Sequence, residues 1–108
     1  MKLIAVAIAA LVGGAGSAVA AEPQFGRWAV DARHCSGDTK AGPLTVTATS
    51  ATLASEYCTF GKMYKAARAL YIEGRCSNGM RHPITLAMMG DRLAVTWNGE
   101  RTEMKRCP

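Results

Sequence analysis

The dipeptide Asn98-Gly99 is the feature that most constrains the fold of this chain. A two-residue type I′ hairpin turn needs positive φ at both central residues, and Asn-Gly supplies it at low steric cost. Short runs of alternating apolar and polar residues flank the dipeptide, as they flank a hairpin turn. The predicted turn pairs Trp97 with Glu100, Val95 with Thr102 and Leu93 with Met104.

A second two-residue turn is predicted at Gly90-Asp91, because glycine stands where a type II′ turn requires it. This turn pairs Met88 with Leu93, Leu86 with Val95 and Ile84 with Trp97. The two registers are independent, yet both gather the same apolar side chains on one face: Ile84, Leu86, Met88, Leu93, Val95, Trp97 and Met104. The other face receives Thr85, Ala87, Ala94, Thr96, Arg101, Glu103 and Lys105. A slip of one residue would mix these sets, so residues 83–107 predict a three-stranded sheet with one buried and one hydrated face.

The segments before this sheet are also short and alternating. Residues 24–35 predict a strand with Trp28 buried, and residues 44–49 predict another strand after a loop rich in turn residues. Residues 50–56 predict a polar connection, with or without a short strand through Leu53.

The segment from Cys58 to Cys76 allows two interpretations. Residues 62–70 contain good helix formers at helical spacing, whereas the residues after them alternate like a strand. We predict a short strand from Cys58, a loop or single helical turn over residues 62–67, and a strand over residues 68–75. A helix over residues 62–70 is the open alternative.

Together these elements predict an all-β fold of about six short antiparallel strands, a small meander that closes as a barrel or a sandwich. A loop of residues 78–80 would pair Ile72 with Leu86 and Leu70 with Met88, which extends the same apolar face. With 108 residues, the chain is long enough for one domain, which we place at residues 21–108.

The first 20 residues have the pattern of a cleaved secretory signal peptide. Lys2 is followed by an apolar run of about ten residues and by the A-x-A sequence at residues 18–20. A membrane anchor is the alternative, but spanning a bilayer takes about 20 apolar residues. We expect cleavage before Ala21, or before Glu22, no transmembrane span, and a periplasmic or secreted protein.

Four cysteines follow the predicted signal: Cys35, Cys58, Cys76 and Cys107. An even number of cysteines in a short exported domain indicates two disulfides. A zinc site is the alternative, but the sequence contains no C-x-x-C pair. If the strands run up and down in sequence order, Cys58 and Cys76 lie at one end and the other two lie at the opposite end. We therefore favour the pairs Cys58–Cys76 and Cys35–Cys107. Strict alternation puts Cys107 on the hydrated face, so either a bulge or an outer-face bridge is expected there.

Several motifs resemble a loose group of small four-cysteine exported proteins of Gram-negative bacteria, mostly uncharacterised. The motifs are a G-x-W motif at Gly26 and Trp28, the four cysteines, and a terminal R-C at Arg106-Cys107. An L-x-x-x-G-D-x-L turn is formed by Leu86, Gly90-Asp91 and Leu93. The resemblance implies a similar small exported fold and is nearly silent on function. The chain is also more vaguely similar to periplasmic lysozyme inhibitors, from which no residue can be carried over.

Positive charge is the chain's other global feature. Without Lys2, the 13 Lys and Arg and 8 Asp and Glu of the sequence leave a net charge of +4. Solubility accounts for such a charge, and so does a polyanionic partner. The cations Lys62, Lys65, Arg68 and Arg75 alternate with two tyrosines, a pattern typical of nucleic-acid surfaces. An exported protein seldom meets nucleic acid, so we expect an anionic envelope component or a solvated strand edge instead.

Candidate catalytic and metal-binding residues are sparse. His34 and Asp31 lack a nucleophile elbow, and cysteines engaged in disulfides supply no thiolate. Two histidines and three methionines are candidate copper ligands: His34, His82, Met63, Met80 and Met89. No M-x-x-M or H-x-H pattern gathers them, so the sequence does not favour a copper site. We therefore expect no enzyme and no cofactor.

The function expected from the sequence is that of a non-enzymatic binding or structural protein of the cell envelope, acting as a monomer on an unknown protein or anionic ligand. The alternative is an inhibitor of a hydrolase such as lysozyme. C-type lysozymes are generally basic, so a positively charged inhibitor would be repelled from them at long range. This repulsion favours an acidic hydrolase as the target.

Overall fold

The computed structural model describes residues 22–108, so the predicted signal peptide and the first residue of the predicted domain lie outside the described residues. Eight antiparallel strands follow one another along this part of the chain. They are β1 (Gly26–Ala29), β2 (Leu44–Val46), β3 (Ser50–Leu53), β4 (Glu56–Ala66), β5 (Ala69–Cys76), β6 (Arg81–Met89), β7 (Arg92–Trp97) and β8 (Glu100–Arg106). A short 3-10 helix, Ala32–Ser36, lies between β1 and β2.

The strands form a closed barrel. Each strand pairs with the next one in sequence, and β1 also pairs with β8 through Trp28 opposite Arg106 and Ala29 opposite Lys105. The predicted all-β meander is confirmed, as a barrel with eight strands where about six were expected. No helix within residues 22–108 is long and apolar enough to cross a bilayer.

The two C-terminal hairpins have the predicted registers. Ile84 lies opposite Trp97 across one turn, and Trp97 lies opposite Glu100 across the next. Asn98, Gly99 and Gly90 all have positive φ, as the predicted turn types require. The alternation therefore carries six of the seven predicted apolar side chains into the core, and Met88 packs against its margin.

The core lies inside the barrel, with the two tryptophans toward different ends. Trp28, on β1, is fully buried and donates its indole N–H to the carbonyl of Gln24. The members of the core cluster are Trp28, Leu44, Val46, Ala51, Leu53, Cys58, Leu70, Ile72, Cys76, Ile84, Leu86, Leu93, Val95, Trp97 and Met104.

The predicted register between β5 and β6 is wrong by two residues. Ile72 lies opposite Ile84, and Leu70 lies opposite Leu86. The loop has the expected three residues, but it is formed by residues 77–79, since the N–H of Cys76 donates to the carbonyl of Met80. A shift of two residues leaves every side chain on its face, so the error does not change the core.

Residues 62–66 form a strand and not the predicted loop or helical turn, and the helix alternative over residues 62–70 is also wrong. Strand β4 continues to Ala66, and Ala67-Arg68 forms a two-residue turn with Ala67 at φ +56°. The alternating contacts with β5 override the helix propensity of the local sequence.

The predicted strand over residues 24–35 is also too long. It ends at Ala29, and the chain turns into the 3-10 helix, where Asp31 accepts a hydrogen bond from the backbone N–H of Arg33. Cys35 therefore lies on a helical turn rather than at the end of a strand.

Both predicted disulfides are present. Cys58–Cys76 links residues directly opposite each other on β4 and β5, inside the barrel. Cys35–Cys107 links the 3-10 helix to the residue after β8 with half-buried cysteines, and so ties the first part of the barrel to the last.

Arg106 closes the same seam without a covalent bond. Its guanidinium lies 4.2 Å from the ring centre of Trp28 and donates to the carbonyls of Phe25 and Pro23, at 3.0 and 2.7 Å. The seam between β1 and β8 thus combines two backbone pairs, a disulfide and a cation–π contact.

The barrel wall is open along part of β4. Strand β3 pairs with β4 only as far as Thr59, so residues 61–66 of β4 have β5 as their backbone partner on one side alone. Lys62 and Lys65 stand on this edge, as lysines often do where pairing with another chain must be avoided.

Candidate functional site

The four cations singled out in the sequence do not form one cluster. Lys62 and Arg75 are exposed and lie on the outer face of the barrel wall, on the same side as Tyr64 and Glu73, which are two residues away along their strands. Lys65 lies opposite the inward-facing Leu70 and forms an ion pair with Glu22 at 3.1 Å. Arg68 is in the β4–β5 turn, away from both.

The two tyrosines interleaved with these cations do come together. Tyr64 lies directly opposite Tyr71, and their rings stack with centres 5.3 Å apart and planes inclined by 19°. The side chains are 66% and 38% exposed, respectively. Two aromatic rings are therefore exposed to solvent side by side, and they do not pack in the core.

Arg81 belongs to the same surface, although the sequence analysis did not select it. It begins β6 directly opposite Arg75. Side chains opposite each other on one face have Cβ atoms about 5 Å apart, and like charges there are destabilising. Within residues 22–108, Lys62, Arg75 and Arg81 form no ion pair with a carboxylate. The register of β5 and β6 was the missing signal, because it places two arginines together that are six residues apart.

An outer groove of about 430 Å³ runs over β4, β5 and β6. Lys62 and Arg81 line it, and Arg75 lies beside it, opposite Arg81. The strand pairing arranges the outward side chains in three rows: Arg75 and Arg81, then Lys62, Glu73 and Pro83, then Tyr64, Tyr71 and Thr85. We call this surface, defined by these eight residues, the β4–β6 face. It carries three cations and one carboxylate.

A bulge in β4 shapes the middle row. The register shifts between Phe60 and Met63, so that Gly61 and Lys62 together oppose Glu73. A Cβ at Gly61 would lie 3.1 Å from the Glu73 carboxylate and 3.4 Å from the guanidinium nitrogen of Arg75. The absence of a side chain at Gly61 therefore leaves room for both groups on the face.

A network of polar side chains around Glu56 lies at one end of the barrel, apart from the β4–β6 face. The Glu56 carboxylate accepts hydrogen bonds from the indole N–H of Trp97 and the amide of Asn78, both at 2.8 Å. The buried His82 ring nitrogen Nε2 is 3.4 Å from the same carboxylate. Both carboxylate oxygens are thus engaged by the protein, which is the arrangement of a structural network.

Three residues at the same end could hold a metal ion by their spacing alone, because one ligand atom each of Glu56, Cys76 and His82 lie within 4.8 Å of one another. The sulfur of Cys76 is bonded to Cys58. A disulfide sulfur is not the thiolate that binds metals, so two candidate ligands are left. A cavity of about 160 Å³ opens beside them, and its other carboxylate, Glu100, pairs with Lys40 at 3.6 Å.

The remaining candidates for chemistry are dispersed. His34 lies 3.9 Å from Asp31 at the surface, where a hydrogen bond from the Arg33 side chain lowers the pKa of the Asp31 carboxyl. Met80 precedes β6 and Met89 ends it, so about 30 Å of strand separates them. Met63 is exposed on β4. The geometry does not gather these methionines with a histidine.

Gln24 is a structural residue that the sequence analysis missed. Its side chain is 1% exposed, and its amide donates to the carbonyls of Arg68 and Leu86 at 3.0 and 3.3 Å. Together with Trp28, it closes the end of the barrel opposite Glu56. A single glutamine in a polar segment gives no periodic signal, which is why the pattern did not reveal it.

No protein-family model, curated protein or solved structure matches this chain.

Proposed function

We propose that this protein is a non-enzymatic, exported binding protein whose β4–β6 face holds an anionic component of the cell envelope. The observation that carries the proposal is the pair of opposed arginines beside an exposed tyrosine stack. Placing Arg75 opposite Arg81 opposes folding, and a bound anion relieves that repulsion.

The placement of charge supports an anionic ligand. Five exposed cations elsewhere, among them Arg33 and Lys40, form ion pairs with carboxylates, whereas Arg68 and Lys105 form none within residues 22–108. On the β4–β6 face, the three cations have no such partner within the described residues. A guanidinium pair in this position suits a carboxylate, sulfate or phosphate group, which it meets with several donors.

The two disulfides support export, because disulfides persist in oxidising compartments and are rare in the cytosol. A binding role fits the interior polar network, in which Glu56 accepts hydrogen bonds from Trp97 and Asn78 within the protein itself. A periplasmic or surface location would bring the basic face close to anionic envelope polymers.

The experiment is a retention assay on immobilised envelope extract with the oxidised protein of residues 22–108. A variant with Lys62, Arg75 and Arg81 all changed to alanine is compared with a control that carries alanine at Arg33, Lys40 and Lys105. Both variants lose three positive charges from exposed positions. We expect wild-type retention to fade with added salt and the first variant alone to lose it.

Equal losses in the two variants would show a response to net charge and would overturn the assignment of this face. No retention of the wild-type protein would overturn the proposed function. Recovery of a hydrolase from the extract, with its activity inhibited, would support the inhibitor alternative instead.

A further inference from the structure

We infer that the ligand of the β4–β6 face is an extended polysaccharide that carries acidic groups at intervals, with one sugar ring on the tyrosine stack and one acidic group at the arginine pair. This inference rests on the proposed function and specifies its ligand class. It follows from the distance between the two ends of the face and from the chemistry of the side chains at each end.

The spacing requires a long ligand. Tyr71 and Arg75 lie on the same strand, four residues apart. At a rise of about 3.4 Å per residue, the two ends of the face are separated by roughly 13 Å. This distance exceeds the width of one sugar ring or one phosphate group, so a ligand that engages both ends is a chain of several units.

The side chains at the two ends specify the chemistry of that chain. Ring-shaped, weakly polar units suit the exposed faces of Tyr64 and Tyr71, as they suit aromatic side chains in general. The guanidinium groups at the other end suit an anion. In the middle row, Lys62 lies across from Glu73, so one cation and one carboxylate stand there. A polymer that alternates neutral and acidic sugars supplies both kinds of group, a neutral ring for one end of the face and an acidic group for the other.

A lipid headgroup fits the same face less well. Its anionic group is a single point of charge at the membrane surface, and it offers the tyrosines no ring at a distance of roughly 13 Å. A single-stranded nucleic acid would also stack on the tyrosines and offer phosphates to the arginines. Both ligands are therefore outcomes of the test.

The test measures binding of hyaluronan oligosaccharides, which alternate glucuronate and N-acetylglucosamine, to the oxidised protein by isothermal titration calorimetry. Glucuronate alone and the disaccharide engage one end of the face, whereas the hexasaccharide and octasaccharide span it. We expect affinity to rise by about tenfold or more between the disaccharide and the hexasaccharide, the factor that one additional contact of roughly 1.4 kcal/mol provides, and to level off with the octasaccharide.

Two variants locate this gain. Changing Tyr64 and Tyr71 to leucine, or Arg75 and Arg81 to glutamine, is expected to remove the dependence on length and to leave the weak binding at the other end. The control changes Arg92 and Lys105 to glutamine on the far side of the barrel wall, and keeps the length dependence. Circular dichroism and thermal unfolding of each variant show that the barrel is intact.

Equal affinity at all lengths, or no binding at any length, overturns the inference. Retention on envelope extract would still support the proposed function in that case, so the two failures are distinguishable. Binding to phosphatidylglycerol vesicles that the tyrosine changes do not weaken assigns the face to lipid and overturns the polysaccharide. Tighter binding of an oligodeoxynucleotide of equal length than of the octasaccharide also overturns it.

Discussion

The disulfide Cys35–Cys107 closes the longer of the two covalent loops, and its removal gives the sharpest prediction for stability. The bond spans a sequence separation of 72 residues, against 18 for Cys58–Cys76. In the chain-entropy model, these separations correspond to about 4.4 and 3.2 kcal/mol at 25 °C. Both cysteines of the longer loop are half-buried, so their replacement by alanine removes little packing from the core. We therefore expect the variant with Cys35 and Cys107 changed to alanine to lose about 4 kcal/mol of unfolding free energy.

That loss is a large part of the total stability of a small domain, which is about 5–15 kcal/mol. The assay is guanidinium unfolding followed by tryptophan fluorescence, since Trp28 and Trp97 are both buried in the folded barrel. The dependence of the free energy on denaturant is expected to steepen, because the uncrosslinked chain is more expanded when unfolded. A loss below about 1 kcal/mol would refute the argument that closure of the long loop stabilises the barrel.

Three other changes test particular contacts. Changing Glu56 to alanine leaves the indole N–H of Trp97 and the amide of Asn78 without their acceptor and should cost about 2 kcal/mol by the same unfolding assay. The exposed Glu100→Ala should cost about 0.5 kcal/mol or less. Equal costs would contradict the network. Gly74→Ala would place a Cβ 2.8 Å from Cδ1 of Ile84 and should cost about 1–3 kcal/mol, part of which Ile84→Val restores by removing that atom. An absence of rescue would locate the strain elsewhere. The pKa of Asp31 lies below its ordinary value of 3.8, mainly because of the hydrogen bond from the Arg33 side chain. The carboxylate therefore stabilises the 3-10 helix above pH 3.8, and this contribution is lost as the pH falls through the folded-state pKa. NMR titration should find that pKa raised in Arg33→Ala, and an unchanged value would contradict the assignment.

The C-terminal part of the fold could be predicted because its turns have distinctive residues. Asn98-Gly99 and Gly90 can adopt positive φ at low cost, so the turns themselves determine which residues pair. The alternation of Leu86, Val95 and Met104 then identifies the buried face without further information. The pair Cys58–Cys76 follows from strand direction, because the end of one antiparallel strand lies beside the start of its neighbour. The pair Cys35–Cys107 was also predicted correctly, although Cys35 lies on the 3-10 helix and not at the end of a strand.

Two turns could not be predicted, since their residues carry no such signal. Ala54 and Ser55 have φ of +52° and +68°, and Ala67 has φ of +56°, values that L-residues with a side chain seldom adopt. The neighbouring strand pairs hold these residues in place, at a local cost that the sequence does not announce. The unpredicted turn at Ala67 is also why residues 62–66 were not recognised as a strand.

The candidate face depended on the same pairing. Lys62 and Arg75 could be named from the sequence as part of a basic stretch, but Lys65 and Arg68 leave the face once the hairpin is formed. Arg81 enters it only through the register between β5 and β6. Local composition therefore identified the kind of surface, and long-range pairing determined its members.

The open edge of β4 makes the charge of two lysines a safeguard against fibril growth. Acetylating or carbamylating Lys62 and Lys65 would neutralise both ammonium groups and free Glu22 from its ion pair, while the backbone groups of residues 61–66 stay available. A neutral, unpaired strand of this length can seed the addition of identical strands from other molecules. Modification of these lysines would then favour edge-to-edge association of folded barrels.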